Sequence, residues 1–100
     1  MLELLVSDLR EHLKIFPHLC CVIAAIRVMR RGLGLSYMNG VFMRGRSVGN
    51  SHAWNMSSAL GVDVDITARQ FCDSLPSIFV VPIDSEFAQK HYLRDCSITW

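Results

Sequence analysis

The stretch from residue 51 to residue 67 reads SHAWNMSSALGVDVDIT, and in two parts of it polar and apolar residues alternate. The two alternating runs are Ser51–Met56 and Val62–Ile66, and serine and glycine residues lie between them. Because successive side chains of a strand point to opposite faces, the pattern predicts two strands with a short, antiparallel connection. In this register His52 and Asp65 can lie on one face of the sheet.

Outside this stretch, helical periodicity comes first along the chain. Apolar residues at three- and four-residue steps predict a helix from about residue 2 to 14, which Pro17 closes. A second helix is predicted from about Leu19 to Arg31, with Gly32 and Gly34 after its end. It is apolar over most of its circumference, which indicates the central buried helix.

Two more β-favouring runs, Leu35–Arg44 and Ile78–Val81, complete a predicted antiparallel sheet of four strands. A closing helix is predicted over 84–92, with Asp84 or Ser85 as its N-cap. Helices followed by a sheet are the order of an α+β protein. One hundred residues, about half of them apolar, suit a single domain spanning 1–100.

Composition excludes several classes of function. The net charge is +1 with scattered basic residues, so neither nucleic acid nor an anionic membrane is an expected partner. There is no secretion signal and no apolar stretch that would span a bilayer, so a soluble, cytoplasmic protein is expected. Four cysteines without ligand spacing predict neither a disulfide framework nor a metal site, and no cofactor motif is present.

Cys21 is the candidate nucleophile because it lies at the start of the second helix. Unpaired N–H groups and the helix dipole there lower the pKa of a thiol from about 8.5, most of all beside an imidazolium. Cys21 shares a helix face with small apolar residues, whereas the neighbouring Cys20 lines up with Arg27 and Arg31. Cys21 is therefore favoured over Cys20, although a buried structural thiol is the commoner role of a lone cysteine.

His52 and Asp65 are the candidate base and its orienting partner. A carboxylate can fix the tautomer of an imidazole whose other ring nitrogen faces a thiol. The remaining histidines, His12, His18 and His91, have no acidic partner at a suitable spacing and are interpreted as structural.

Three segments together resemble a known group: the string from Phe16 to Cys21, then His52-Ala53-Trp54, then the string from Asp65 to Phe71. They are similar to bacterial and phage proteins related to transglutaminase-like and papain-like cysteine enzymes. The resemblance implies a papain/transglutaminase-like fold in which Cys21 is the nucleophile, His52 the general base and acid, and Asp65 its partner. This chain departs from the group's pattern at Val22, Ala25, Arg69 and the segment 55–63.

The resemblance implies a cysteine-dependent hydrolase acting on amide bonds of a peptide or protein, as a peptidase or as a glutamine deamidase or transglutaminase. Two alternatives belong to other classes: a catalytically inactive interaction domain that retains the fold, and a metal-binding module built on Cys20, Cys21 and His52. Gln70 carries an amide that could donate to an oxyanion, but its spacing after Asp65 favours packing in a turn.

Overall fold

A computed structural model describes residues 2–12, 21–44 and 49–94 of the chain. The elements of these residues are α1 (Leu2–His12), α2 (Cys21–Arg30), β1 (Ser36–Met43), β2 (Gly49–Ser57), β3 (Val62–Asp65), a 3-10 turn (Ala68–Gln70), β4 (Phe79–Pro82), α3 (Glu86–His91) and β5 (Tyr92–Arg94). Three helices and an antiparallel, curled sheet form a mixed α+β architecture, so the α+β prediction is confirmed.

The sheet has the order β4-β3-β2-β1-β5, and every neighbouring pair is antiparallel. The four predicted strands are present with shifted ends, but the prediction of only four strands is wrong. The closing helix was predicted to end at Tyr92, but α3 ends at His91 and Tyr92 is the first residue of β5. A strand of three residues that directly follows a helix is too short to show alternation.

β5 pairs with β1 at a point where only glycine fits. Gly40 lies opposite Arg94, and a Cβ atom at Gly40 would overlap the backbone carbonyl of Leu93. The same Cβ would come within 2.8 Å of the Trp54 ring. The absence of a side chain at Gly40 therefore lets β5 pair with β1, the neighbour of the strand that carries His52.

Of the two predicted N-cap candidates for the closing helix, the structure selects Ser85. Its Oγ accepts a hydrogen bond of 3.1 Å from the backbone N–H of Ala88. This bond satisfies one of the N–H groups that the first turn of a helix leaves unpaired.

Replacing Ser85 with alanine is expected to lower the free energy of unfolding by about 1 kcal/mol, because the N–H of Ala88 loses its acceptor. Urea unfolding followed by circular dichroism measures the change. The matched control is Ser58→Ala, at an exposed serine that caps no helix. Equal effects in the two variants would contradict a capping role for Ser85.

The side of α2 that packs on the sheet is the side predicted from its small residues. Ala24, Ala25 and Val28 are buried, whereas the three arginines at 27, 30 and 31 are exposed. Asn55 on β2 donates from Nδ2 to the carbonyl of Ala25 at 2.9 Å, which ties the helix to the sheet. The predicted helix start at Leu19, and Pro17 before it, lie outside the described residues.

Apolar residues form two buried clusters. One joins α1 and α2 and consists of Leu5, Val6, Leu9, Ala24, Val28 and Ile66. The other lies between the sheet and α3 and consists of Phe42, Trp54, Val81, Ala88 and Tyr92. Within the described ranges, no helix is both long enough and apolar enough to cross a lipid bilayer.

Candidate active site

His52 and Asp65 project from the same face of the sheet. On β2 and β3, Met56 pairs with Asp63, and both candidate residues lie an even number of positions from that pair. The Nε2 atom of His52 lies 2.6 Å from Oδ2 of Asp65, and the two side chains are 0% and 2% exposed. The contact was expected from the alternating pattern.

The carboxylate of Asp65 accepts hydrogen bonds from three other donors. Oδ1 accepts from the backbone N–H of Thr67 at 2.8 Å and from its hydroxyl at 3.0 Å. Oδ2 accepts from the hydroxyl of Tyr92 at 2.8 Å, in addition to His52. These donors fix the carboxylate in one orientation, as a partner for the imidazole must be.

Sequence analysis missed Tyr92 because the residue was assigned to a helix, where it would have had no reason to approach Asp65. As the first residue of β5 it lies opposite Phe42 on β1 and is 2% exposed. Burial raises the pKa of Tyr92, and the charge of Asp65 and the hydrogen bond to it raise the pKa further. The hydroxyl therefore stays protonated and remains a donor.

Replacing Tyr92 with phenylalanine is expected to raise the pKa of His52, because Oδ2 of Asp65 then accepts from His52 alone and holds the imidazolium more strongly. An NMR titration of the His52 ring measures this pKa. Tyr37→Phe is the matched control, since Tyr37 makes no contact with Asp65. A pKa of His52 that falls or stays constant in Tyr92→Phe would show that Tyr92 does not tune the pair.

Cys21 is the first residue of α2 and is half-buried. Burial alone would raise the pKa of its thiol. The hydrogen bond with His52, the hydrogen bond from the backbone N–H of Ala53 and the charge of His52 outweigh burial, and the pKa is lowered. The N–H groups of the first helical turn add to the stabilisation of a thiolate.

The pKa of His52 shifts in the opposite direction. Burial favours the neutral ring, but the charge of Asp65, the hydrogen bond to it, and then the hydrogen bond and charge of Cys21 raise the pKa to about 9. Because Nε2 is bonded to Asp65, Nδ1 is the ring atom left for the thiol. A lowered pKa of a thiol beside a raised pKa of an imidazole is the combination that a thiolate–imidazolium pair produces.

Aromatic rings enclose the imidazole of His52. Phe71 meets it edge-on with the ring centroids 4.8 Å apart, and Trp54 stacks against it at 5.7 Å. Trp54 is 1% exposed, so it is a core residue, and its Nε1 donates to Oδ1 of Asp63 at 2.9 Å. The rings exclude water from the contact between His52 and Asp65 and restrict rotation of the imidazole.

Gln70 lies beside the same imidazole as well as in the turn where it was expected to pack. Its Nε2 is 3.5 Å from Nδ1 of His52 and 3.4 Å from the hydroxyl of Thr67. Because that hydroxyl donates its proton to Asp65, it accepts from Gln70, which identifies the atom facing His52 as the amide nitrogen. The Gln70 amide can donate to Nδ1 only while His52 is neutral, because Nδ1 of the imidazolium carries its own proton.

A cavity of about 310 Å³ opens next to the thiol and the imidazole. Its wall also includes Val22, Asn39, Gly40, Ser51 and Ala53. This volume lies in the range of pockets that bind small organic groups. The thiol, the imidazole and space for a reacting group therefore lie together.

The other candidates are not brought to this site. Cys72 is exposed on a different part of the surface, and hydrogen bonds with Ser74 lower its pKa. Cys20, Cys96 and His18 lie outside the described residues, so the choice between Cys20 and Cys21 rests on the position of Cys21 alone. Within the part of the chain that the structure describes, no three histidine, cysteine or acidic side chains are grouped to hold a metal ion.

His12 and His91, interpreted as structural, lie away from the pair of Cys21 and His52. Nδ1 of His12 contacts both the carbonyl of Asp8 at 2.9 Å and its carboxylate at 3.1 Å, one helical turn back, so the expectation that His12 has no acidic partner is wrong. Nδ1 of His91 donates to the carbonyl of Met43 at 2.5 Å and so connects α3 to β1.

Comparison of the chain with protein-family models, with curated proteins and with solved structures gives no match. The chemistry of the site is therefore argued from its own residues and their geometry.

Proposed function

We propose that the chain is a cysteine-dependent acyl-transfer hydrolase that cleaves amide bonds of peptides or proteins. Cys21 is the nucleophile, His52 the proton carrier and Asp65 the residue that orients His52. The observation that carries the proposal is the position of the imidazole of His52, which is hydrogen-bonded to a buried carboxylate and lines one cavity together with the thiol of Cys21 at the start of α2.

In the first half of the reaction, the thiolate of Cys21 attacks the amide carbonyl and the carbonyl π electrons move to oxygen. The backbone N–H of Cys21 is available to this oxyanion because the first residues of a helix have no intrahelical acceptor. When the C–N bond breaks, the imidazolium of His52 transfers its Nδ1 proton to the leaving amine. A thioester on Cys21 and a neutral imidazole result.

In the second half, neutral His52 takes a proton from an incoming water as the water attacks the thioester. The tetrahedral intermediate expels the thiolate, and the acid product leaves with the imidazolium restored. Throughout, Asp65 keeps Nε2 of His52 protonated, so that Nδ1 is the atom that gains and loses the proton.

The protonation states of Cys21 and His52 limit this reaction at low pH and at high pH. As the pH falls through the lowered pKa of Cys21, the thiolate is protonated. As the pH rises through about 9, His52 loses the proton that the leaving amine needs. We therefore expect a bell-shaped dependence of hydrolysis on pH, with the maximum between these two values.

Two features support a papain/transglutaminase-like fold within the α+β class. The cysteine begins a helix that packs on an antiparallel sheet, and the histidine and aspartate lie on neighbouring strands of that sheet in the order Cys, His, Asp. Val22 and Ala25, at which the chain departs from the group, lie on α2, and Ala25 is buried against Asn55 rather than in the cavity.

The proposal is tested with p-nitrophenyl acetate as an activated acyl donor. The expected result is a burst of p-nitrophenolate equal to the protein concentration, with an acetyl group found by mass spectrometry on Cys21. Cys21→Ser should abolish the burst, and Cys20→Ser should retain it. The inactive interaction domain becomes the better account if no burst occurs or if Cys72 carries the acetyl group instead.

A further inference from the structure

A second groove runs along α2 next to the cavity of the candidate active site. It has a volume of about 430 Å³ and is lined by Val22, Ile26, Met29, Arg30 and Tyr37. The four helix residues are spaced by four, three and one positions, so they form one side of α2 that faces Tyr37 on β1. The wall is apolar except at its far end, where Arg30 lies.

The groove is continuous with the cavity that contains the thiol. Val22 lines both spaces and directly follows Cys21. Tyr37 lines the groove together with Val22, and its pKa is raised by burial and then by the charge of Cys21. A chain bound to the sulfur of Cys21 would therefore have an apolar channel to enter.

Arg30, at the far end of the groove, has no acidic partner among residues 2–12, 21–44 and 49–94. α2 contains no aspartate or glutamate, and the one acidic side chain that approaches it, Asp8, lies 3.7 Å from Arg27. An unpaired guanidinium at the end of an apolar groove is complementary to a carboxylate carried on an apolar chain.

We infer that this groove binds the acyl side of the substrate, an extended peptide with apolar residues at the thiol and an acidic side chain that meets Arg30. Val22 and Arg30 are eight residues apart on α2, a span of about 12 Å along the helix axis. Two extended residue steps of about 3.4 Å, plus the length of a glutamate side chain, cover this span. The acidic residue is therefore placed two positions before the residue whose carbonyl reacts. This assignment rests on the proposed function, because it treats Cys21 as the acylated residue.

The test uses three peptide chloromethyl ketones that alkylate a nucleophilic cysteine: acetyl-Glu-Leu-Val, acetyl-Gln-Leu-Val and acetyl-Lys-Leu-Val. The second-order rate of modification of Cys21 is measured for each probe by mass spectrometry at low ionic strength. For the native chain, the Glu probe is expected to react about fivefold faster than the Gln probe, the size of effect given by one exposed ion pair. Added salt should reduce this preference.

Three variants separate recognition by Arg30 from general charge. Arg30→Gln should remove the preference for the Glu probe, and Arg30→Glu should transfer it to the Lys probe. Arg31→Gln is the matched control, because it changes the charge by the same amount at a position that does not line the groove. Both positions are exposed, Arg30 at the end of α2 and Arg31 in the turn after it, where these substitutions preserve folding.

The outcomes distinguish failure of the groove assignment from failure of the proposed function. If Cys21 reacts rapidly with iodoacetamide near neutral pH but shows no preference among the three probes, the groove assignment is overturned and the proposed function stands. A preference that survives Arg30→Gln also overturns it. If Cys21 reacts no faster than an ordinary thiol with any reagent, the proposed function fails, and the groove assignment fails with it.

Discussion

Replacing His52 with alanine is expected to slow the alkylation of Cys21 by iodoacetamide at pH 6.5 severalfold. Without the imidazolium, burial is no longer outweighed and the pKa of the thiol returns to about 8.5 or above. At pH 6.5 only about 1% of such a thiol is ionised, whereas the lowered pKa of the paired thiol gives it a larger thiolate fraction. The lower intrinsic nucleophilicity of a low-pKa thiolate keeps the factor below the full difference in ionisation.

This experiment is best done in a Cys72→Ser background, because Cys72 is exposed and its own pKa is lowered by Ser74. Cys72 therefore cannot serve as an unperturbed reference thiol. His12→Ala is the control for loss of a histidine, since the side chain of His12 is exposed and remote from Cys21. If His12→Ala and His52→Ala slow the reaction equally, the coupling between His52 and Cys21 is excluded.

Replacing Asp65 with asparagine is expected to lower the free energy of unfolding by about 3 kcal/mol as well as to slow the alkylation of Cys21. All the groups around the carboxylate are hydrogen-bond donors, from Thr67, Tyr92 and His52. An amide NH₂ placed among them leaves buried donors without an acceptor and removes the charge that stabilises the imidazolium. Urea unfolding measures the stability, and mass spectrometry measures the alkylation rate.

Asp65 is expected to act both through the orientation of His52 and through the stability of the fold. The four contacts make both effects large, so the two measurements are needed together. Asp8→Asn is the control, because Asp8 is 44% exposed and its loss should change stability by less than about 0.5 kcal/mol. A folded Asp65→Asn protein with native alkylation kinetics would exclude a role for Asp65 in the site.

Much of the site could be predicted because its geometry is local in the sequence. His52 and Asp65 lie on strands joined by one short connection, and the period of two fixes the face to which each points. Cys21 could be placed at a helix start because the change in composition near Pro17 marks a helix boundary. These inferences need only strand alternation and helix termination.

The parts that were missed depend on contacts between residues distant in the chain. Tyr92 reaches Asp65 only because β5 pairs with β1, and that pairing depends on the missing side chain of Gly40. No periodicity within a three-residue strand reveals such a pairing. The contact of Gln70 with His52 likewise arises from the way the 3-10 turn folds back over β2, so spacing along the sequence could suggest only its place in the turn.

The most direct test of the thiolate–imidazolium pair is an NMR titration of the His52 ring in the native chain and in Cys21→Ser. The account predicts that His52 in the native chain titrates near pH 9, far above the usual value of about 6.5. In Cys21→Ser the pKa of His52 should fall, because the hydrogen bond and the charge of the thiolate are lost while Asp65 remains. A His52 ring that titrates near pH 6.5 in the native chain, or that keeps the same pKa without the thiol, would contradict the pair on which the proposed function depends.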